Sequence, residues 1–269
     1  MKWQVVLGVA MVAAMAIAMA ALAFYVLTKL ETYARRKDQK NLEQPPEREQ
    51  LLCFGVIMAK RNGEALRILP QRNRYTASYK INDLRVGLAE AWEINDRQSA
   101  INAIQALISE GRRAYFGDDF KRLQMSGNSE ALEYLSGADI ARWNRVKEAW
   151  LKEGLALPAN LSMAAYDYER IAWLARGCFH LGYLTEDETW RHLAWVADQS
   201  CHEFASWTEY GASFVLGRAA TFSGEPDTAN GVAAVKELLN GKDTWLGRPH
   251  LWQDYPLKDI GLRSETPLI

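Results

Sequence analysis

The chain has 269 residues, a formal net charge of −1 and a hydrophobic share of 49%. This length suits an N-terminal anchor followed by one globular domain, and ten Trp residues can fill a large core. The near-neutral charge provides no general attraction to nucleic acid, so we expect no nucleic-acid partner. The three cysteines, Cys53, Cys178 and Cys201, lack regular spacing, which argues against a disulfide framework.

The chain begins with an apolar stretch, Val5 to Leu27, that contains no charged residue. As a helix rising about 1.5 Å per residue, this stretch is long enough for a bilayer core of about 30 Å. We therefore predict a single transmembrane helix within residues 1–28. A cleaved signal peptide with its cleavage site at Ala21-Leu22-Ala23 is the alternative, although the apolar run is longer than the usual core of about 7–15 residues.

Basic residues are concentrated after the apolar stretch. Lys2 precedes it, whereas Lys29, Arg35, Arg36, Lys37 and Lys40 follow it. The positive-inside tendency therefore predicts a single-pass protein of the bacterial inner membrane with its C-terminal domain in the cytoplasm. Membrane lipid is accordingly an expected partner. Residues 29–48 form a charged linker that contains Pro45-Pro46, and the globular domain is predicted at residues 49–269.

The first half of the domain predicts short helices separated by breakers. They are expected at Leu51–Lys60, at Ile81–Glu93, and from the capping residue Asp96 to Gly111. The stretch from Phe116 to Gly137 contains several glycines and is predicted to be irregular. Asp139 is then expected to cap a helix that ends at about Glu153.

The second half contains three consecutive amphipathic helices. The first is predicted from Ala164 to Leu181, with Gly182 as its left-handed C-cap. The second begins at Thr185 and the third at Ser206, because each of these hydroxyl residues has a glutamate three positions later, which is the pattern of a capping box. The third helix is expected to end at about Ala220. No strand-like alternation extends beyond a few residues, so the predicted fold class is all-α: a transmembrane helix followed by a compact multi-helix domain.

Separated motifs in this region occur in the order that is typical of one family. They are Asp167-x-x-Arg170, Gly182-Tyr183, Thr185-x-x-Glu188-x-Trp190, Ser206-Trp207-x-Glu209-x-Gly211 and Leu216-Gly217-Arg218. Together they resemble the bacterial DUF1266 family, a helical domain of unknown function, over roughly Leu84 to Trp252. Trp92 with Ser99-Ala100 is similar to the upstream part of the family pattern, and Trp245 or Trp252 to its tail. Tyr166 departs from the pattern, which commonly has Trp there. The resemblance implies a helical fold and no established mechanism.

Polar and aromatic residues of these motifs form a candidate site. The polar cluster consists of Asp167, Arg170, Glu188, Glu209 and Arg218. The aromatic wall consists of Trp92, Tyr166, Trp190 and Trp207. Such charges either form ion pairs that order the helices or converge in one acidic and basic pocket, and the sequence leaves both interpretations open.

The sequence contains no phosphate loop, dinucleotide fingerprint, nucleophile elbow or H-E-x-x-H motif. The histidines and cysteines do not show the spacing of metal ligands, so we expect no metal and no cofactor. Our first hypothesis is a membrane-anchored interaction module, immunity-like, adaptor or regulatory, that binds a protein partner. The alternative is an enzyme that uses the acidic residues as a base and the arginines to hold an anionic substrate. Whether the chain is an enzyme is left undecided by the sequence.

Overall fold

The computed structural model describes residues 14–27, 29, 42, 44–71, 81–126, 132–221, 228–243 and 248–261. The chain divides into two compact units, Met1–Glu43 and Gln44–Ile269. In the first unit residues 14–27 are helical (α1). Residues 5–13 of the predicted transmembrane helix lie outside the described part. Within the part that is described, no helix is both long enough and apolar enough to cross a membrane.

The second unit is all-α, as predicted, apart from one antiparallel ladder of two-residue strands. Its α-helices are α2 Pro46–Glu49, α3 Val56–Arg61, α4 Ile81–Trp92, α5 Arg97–Ser109, α6 Arg112–Ser126, α7 Gly137–Lys152, α8 Ala164–His180, α9 Glu186–Glu203, α10 Trp207–Thr221, α11 Thr228–Asn240 and α12 Leu251–Asp254. Short 3-10 helices cover Gln50–Cys53 and Leu257–Asp259, and the ladder pairs β1 (Lys242–Asp243) with β2 (Arg248–Pro249). The three central helices begin and end close to their predicted bounds.

Helix α8 is the axis of the second unit. Every residue from Ala164 to Cys178 is buried except Trp173, and α5, α9 and α10 pack around it. A helix with no solvent-facing side must bury whatever charged residues its sequence contains. Charged groups removed from water are costly unless they are paired, so the charged residues of α8 determine much of the surrounding architecture.

Local capping boxes mark the starts of α5, α7 and α9. Thr185 and Glu188 form the predicted capping box at α9, and Asp96 caps α5 together with Ser99. The prediction that Asp139 caps α7 is wrong. Ser136 is the N-cap and Asp139 is the third residue of its capping box, since an aspartate reaches back to the cap as a glutamate does.

The prediction of an irregular stretch from Phe116 is also wrong, because α6 continues to Ser126. Tertiary contacts override the local breakers here. Phe120 and Leu123 are buried in the core. The buried carboxylate of Asp119 accepts the backbone N–H groups of residues 133–135 at 2.6–3.0 Å, which fastens the helix to the following chain.

The helix predicted at Leu51–Lys60 is divided in two at Gly55. This glycine has a φ of +76°, and a Cβ there would lie 2.9 Å from the backbone nitrogen of Trp173. Only glycine therefore allows the chain to turn so close to α8. At the other end of the chain Trp252 and Tyr255 pack onto the bundle, as predicted, whereas Trp245 lies outside the described residues.

Candidate functional site

Asp167 lies in the first turn of α8 and is fully buried. Its two carboxylate oxygens accept the backbone N–H groups of Arg112 and Arg113, both at 2.9 Å, so this side chain caps the N-terminus of α6 from another helix. The guanidinium groups of Arg113, at 3.0 Å, and of Arg170 complete its hydrogen bonding. With four donors around one buried carboxylate, the hydrogen-bonding capacity of Asp167 is used within the fold, and this side chain holds α6 against α8.

Arg170 follows Asp167 by one helical turn and is 8% exposed. Its guanidinium lies 4.2 Å from the ring centre of Tyr166 and 5.7 Å from that of Trp92. Its Nε–H donates to the carbonyl of Tyr166 at 3.3 Å. Two aromatic rings, one carbonyl and one carboxylate therefore fix the orientation of this cation. Trp92, Tyr166, Asp167 and Arg170, which the sequence singled out separately, are thus brought together.

A groove of about 410 Å³ opens beside Arg170, between the end of α4, the second half of α5 and the start of α6. We call it the α4–α6 groove. It is lined by Ala91, Trp92, Glu93, Ala103, Ala106, Leu107, Glu110, Gly111, Arg112, Tyr115 and Arg170. Trp92 is half-buried and Tyr115 is 54% exposed, so both aromatic rings are accessible from this groove.

Glu188 is engaged elsewhere, at the start of α9. It accepts the backbone N–H of Thr185 at 2.9 Å and both Nη groups of Arg97 at 2.6 and 2.7 Å. The hydrogen bonds from Arg97 and Thr185 lower the pKa of the Glu188 carboxyl to about 2. Trp190, on the same helix, is buried, donates its indole N–H to Glu186 and lies under the guanidinium of Arg48.

The remaining predicted residues lie on α10. The Ser206 hydroxyl accepts the backbone N–H of Glu209 at 3.2 Å, as the predicted capping box requires, whereas the Glu209 carboxylate accepts the N–H of Ala205 at 2.7 Å rather than that of Ser206. Trp207 is buried and stacks on Trp252 with ring centres 4.8 Å apart. Arg218 is half-buried near the end of the helix. Glu188, Glu209 and Arg218 are not among the described residues that line the α4–α6 groove.

Sequence reasoning missed Glu169, a buried acid of the core whose pKa is raised. It is fully buried and accepts the backbone N–H groups of Gly55 at 2.8 Å, Ile57 at 2.9 Å and Met58 at 3.3 Å. The hydroxyl of Tyr210 donates to it at 3.1 Å. Burial raises the pKa of the Glu169 carboxyl to about 7, although the hydrogen bonds from these donors lower it.

Arg176, two turns further along α8, is the basic counterpart of Glu169 and was also missed. It is fully buried and donates to the carbonyls of Ala65 at 2.9 Å, Ile68 at 3.0 Å and Leu69 at 3.2 Å. Burial lowers the pKa of its guanidinium. The available signal was a pair of charges seven residues apart in a helix without a polar face, a spacing that places both on one side.

No three His, Cys, Asp or Glu side chains of the described ranges come together in a way that could hold a metal ion. Burial raises the pKa of the Cys178 thiol to about 12 and also raises that of Cys201. Cys201 lines a second groove of about 570 Å³ together with Asp198 and His202, and its thiol donates to the carbonyl of Leu257. A protonated, hydrogen-bonded thiol of this kind is a poor nucleophile.

Comparison with known proteins identifies one family. No curated protein and no solved structure is similar enough to the chain to count as a match. A family model described as "protein of unknown function (DUF1266)" matches residues 87–256, which is more than half of the chain. This range contains α5 to α11 complete and therefore includes the α4–α6 groove with Asp167 and Arg170. The chain belongs to the DUF1266 family.

Proposed function

We propose that this chain is a membrane-anchored, cytoplasm-facing interaction module, immunity-like, adaptor or regulatory, that docks a protein partner at the α4–α6 groove. The observation that carries the proposal is the chemistry of this groove. It presents accessible rings of Trp92 and Tyr115 and an arginine held in one orientation, a combination that is enriched at protein interfaces.

The contacts of the acidic residues favour this proposal over an enzyme acting on an anionic substrate. An enzyme of that kind needs a base with a free lone pair near the arginines. Asp167 is enclosed by four donors, and Glu188 and Glu209 cap the starts of two other helices. None of the three has the environment of a general base.

The anchor belongs to the same proposal and is supported by the sequence of residues 5–27, which contains no charge. Large apolar side chains of its described part are exposed: Met15, Ile17, Met19, Leu22, Phe24, Tyr25, Val26 and Leu27. Exposure of so many apolar groups on one helix is unfavourable in water and favourable in lipid.

Reporter fusions test the anchor and its orientation. Alkaline phosphatase fused after Ile269 is expected to remain inactive in a bacterial host, because it folds only outside the cytoplasm, whereas a fluorescent protein fused at the same position is expected to fluoresce in the membrane fraction. An active phosphatase, or fluorescence in the soluble fraction after cell lysis, would contradict the proposed topology.

A photoreactive residue tests docking at the groove. p-Benzoylphenylalanine replacing Tyr115, which is 54% exposed, is expected to give a discrete cross-linked adduct in cells. The matched control is the same residue replacing Leu151, which is 49% exposed on α7. Equal cross-linking at both positions, or none at Tyr115, would count against an interaction at this groove.

A further inference from the structure

We infer that the α4–α6 groove recognises a peptide segment of a protein partner through a single carboxylate side chain, and that it discriminates against phosphorylated segments. This inference rests on the proposed function and specifies the chemistry of the partner. Three properties of the groove support it: an exposed arginine, Arg112, that has no carboxylate partner among the described residues, a second cation that is fixed in place, and two carboxylates at the rim.

Arg112 and Arg170 supply the positive charge of the groove. The guanidinium of Arg170 is paired with the carboxylate of Asp167. Arg112, by contrast, is exposed, contacts the ring of Phe116 and, among the described residues, has no carboxylate partner. A carboxylate is therefore the ligand group that complements Arg112.

The cation at the floor needs little reorganisation on binding. Arg170 is held between the rings of Trp92 and Tyr166 while one of its Nη groups is paired with Asp167. Ordering a free arginine side chain at an interface is entropically unfavourable, and a guanidinium that is already fixed avoids this cost. The accessible rings of Trp92 and Tyr115 flank the same site and can cover the apolar part of a neighbouring side chain of the peptide.

The rim determines which anions are accepted. Glu93 and Glu110 are both exposed and both line the groove. Two carboxylates near the entrance repel a phosphate, which carries about −1.5 to −2 charges at neutral pH, more strongly than they repel a single carboxylate. Because the same glutamates can pair with lysine or arginine, a peptide with a basic residue near its acidic one fits best.

The backbone of Glu93 is an independent indication that this rim is functional. It is the one residue other than glycine with a positive φ, +57°, in the part of the chain that the structure describes. It follows the last residue of α4 and donates its N–H to the carbonyl of Ala89 at 3.1 Å, which is the αL motif that normally places glycine at such a helix end. A glutamate is less favourable than glycine in this conformation, and it places a carboxylate at the rim.

The test uses the full chain in lipid nanodiscs and a phage-displayed library of random dodecapeptides as the probe. Selected peptides are expected to be enriched in Asp or Glu at one position. A fluorescent peptide from the selection is then titrated against the chain. Replacing its acidic residue by Asn is expected to weaken binding at least fivefold, and the phosphoserine version is expected to bind more weakly than the parent peptide.

Variants of the chain locate the site. Arg112→Gln is expected to weaken binding of the parent peptide at least fivefold and to remove most of the effect of the Asn replacement, because each change removes the same contact. Arg145→Gln is the matched control, since Arg145 is an exposed guanidinium on α7 outside the groove, and it should bind within twofold of the natural chain. Replacing both Glu93 and Glu110 by Gln is expected to strengthen binding of the phosphoserine peptide.

Several outcomes would overturn the inference. One would be a library that gives no binders, or binders without acidic enrichment, and another would be an Arg112→Gln chain that binds the parent peptide as tightly as the natural chain does. A third would be a phosphoserine peptide that binds the natural chain more tightly than the parent peptide does. Full displacement of the peptide by an equal concentration of N-acetylaspartate would indicate a small-molecule site. If the cross-link at Tyr115 persists in any of these cases, the proposed docking function stands and only the carboxylate chemistry is wrong. If the cross-link is also absent, the proposed function itself fails.

Discussion

Glu169 is a fully buried titratable group that accepts hydrogen bonds from three backbone N–H groups and from the hydroxyl of Tyr210. The pKa of its carboxyl is about 7 in the folded chain, compared with 4.5 for an ordinary glutamate. Between these two values the unfolded chain releases a proton that the folded chain retains. Unfolding therefore becomes easier as the pH rises through this window.

The expected result is a free energy of unfolding that falls from about pH 4.5 to about pH 7 because of Glu169 and then stays level with respect to this group. One pH unit corresponds to at most about 1.4 kcal/mol, so the total contribution over this window is no more than about 3.5 kcal/mol. Glu169→Gln has no such proton, so its difference from the natural chain should vary across the window when urea unfolding is followed by tryptophan fluorescence. Parallel pH profiles for the two chains would show that Glu169 does not titrate there.

Individual residues differ in how far the sequence could predict them. Asp167 and Arg170 pair because they are three positions apart on one helix, and this spacing can be read directly from the sequence. The three backbone N–H groups that donate to Glu169 lie more than 110 positions away along the chain, so no local pattern predicts them. The left-handed backbone conformation of Glu93 could not be predicted from the sequence either, because glutamate is not a residue that such a position favours.

Helix α6 shows how one element can depend on another. The sequence around its start contains no capping residue of its own, and Asp167 of α8 supplies the cap instead. Gly111, just before the helix, leaves room for that carboxylate, because a Cβ there would lie 2.3 Å from an Asp167 oxygen. The start of α6 and the floor of the α4–α6 groove are thus fixed by the same contact.

We therefore expect Gly111→Ala to lower the free energy of unfolding by about 2 kcal/mol or more, because the added methyl group displaces the buried Asp167 and its cap. Gly137→Ala is the matched control at the start of α7, where an added Cβ meets nothing within 4 Å. Alanine favours helix by up to about 1 kcal/mol relative to glycine, so the control should be neutral or slightly stabilising. Chemical denaturation of both variants measures the difference, and equal stability would refute the contact.

The helices that were predicted correctly are those whose ends carry their own signals. Thr185 with Glu188, and Asp96, cap α9 and α5 through side chains within three residues. By contrast, the extension of α6 through Gly117 depends on Asp119 holding the backbone of residues 133–135 and on burial of Phe120. Local rules cannot include such contacts, which form only when the whole unit has folded.

At the scale of the whole molecule, the range that matches the family, residues 87–256, is smaller than the structural unit that contains it. The chain before this range supplies hydrogen-bond partners of the core helix: the backbone of residues 55–58 donates to Glu169, and the carbonyls of residues 65–69 accept from Arg176. Trp252, near the end of the matched range, donates its indole N–H to the carbonyl of Cys53 at 2.9 Å. The all-α class was predictable from periodicity, but this dependence of the core on the earlier segment was not.

A truncated chain of residues 87–256 is therefore expected not to fold cooperatively. It would leave Glu169 and Arg176 without their backbone partners, and an unsatisfied buried polar group costs about 1–3 kcal/mol, more where it is charged. It would also expose the part of the core that residues 51–57 cover. Together these losses offset a large part of the roughly 5–15 kcal/mol that stabilises a typical domain. A chain of residues 44–261 retains both sets of partners and should unfold in one sigmoidal transition with a near-ultraviolet circular dichroism signal from its packed tryptophans. Because the two truncated chains share α5 to α11, a cooperative transition in the shorter one would mean that the earlier segment is an accessory rather than part of the core.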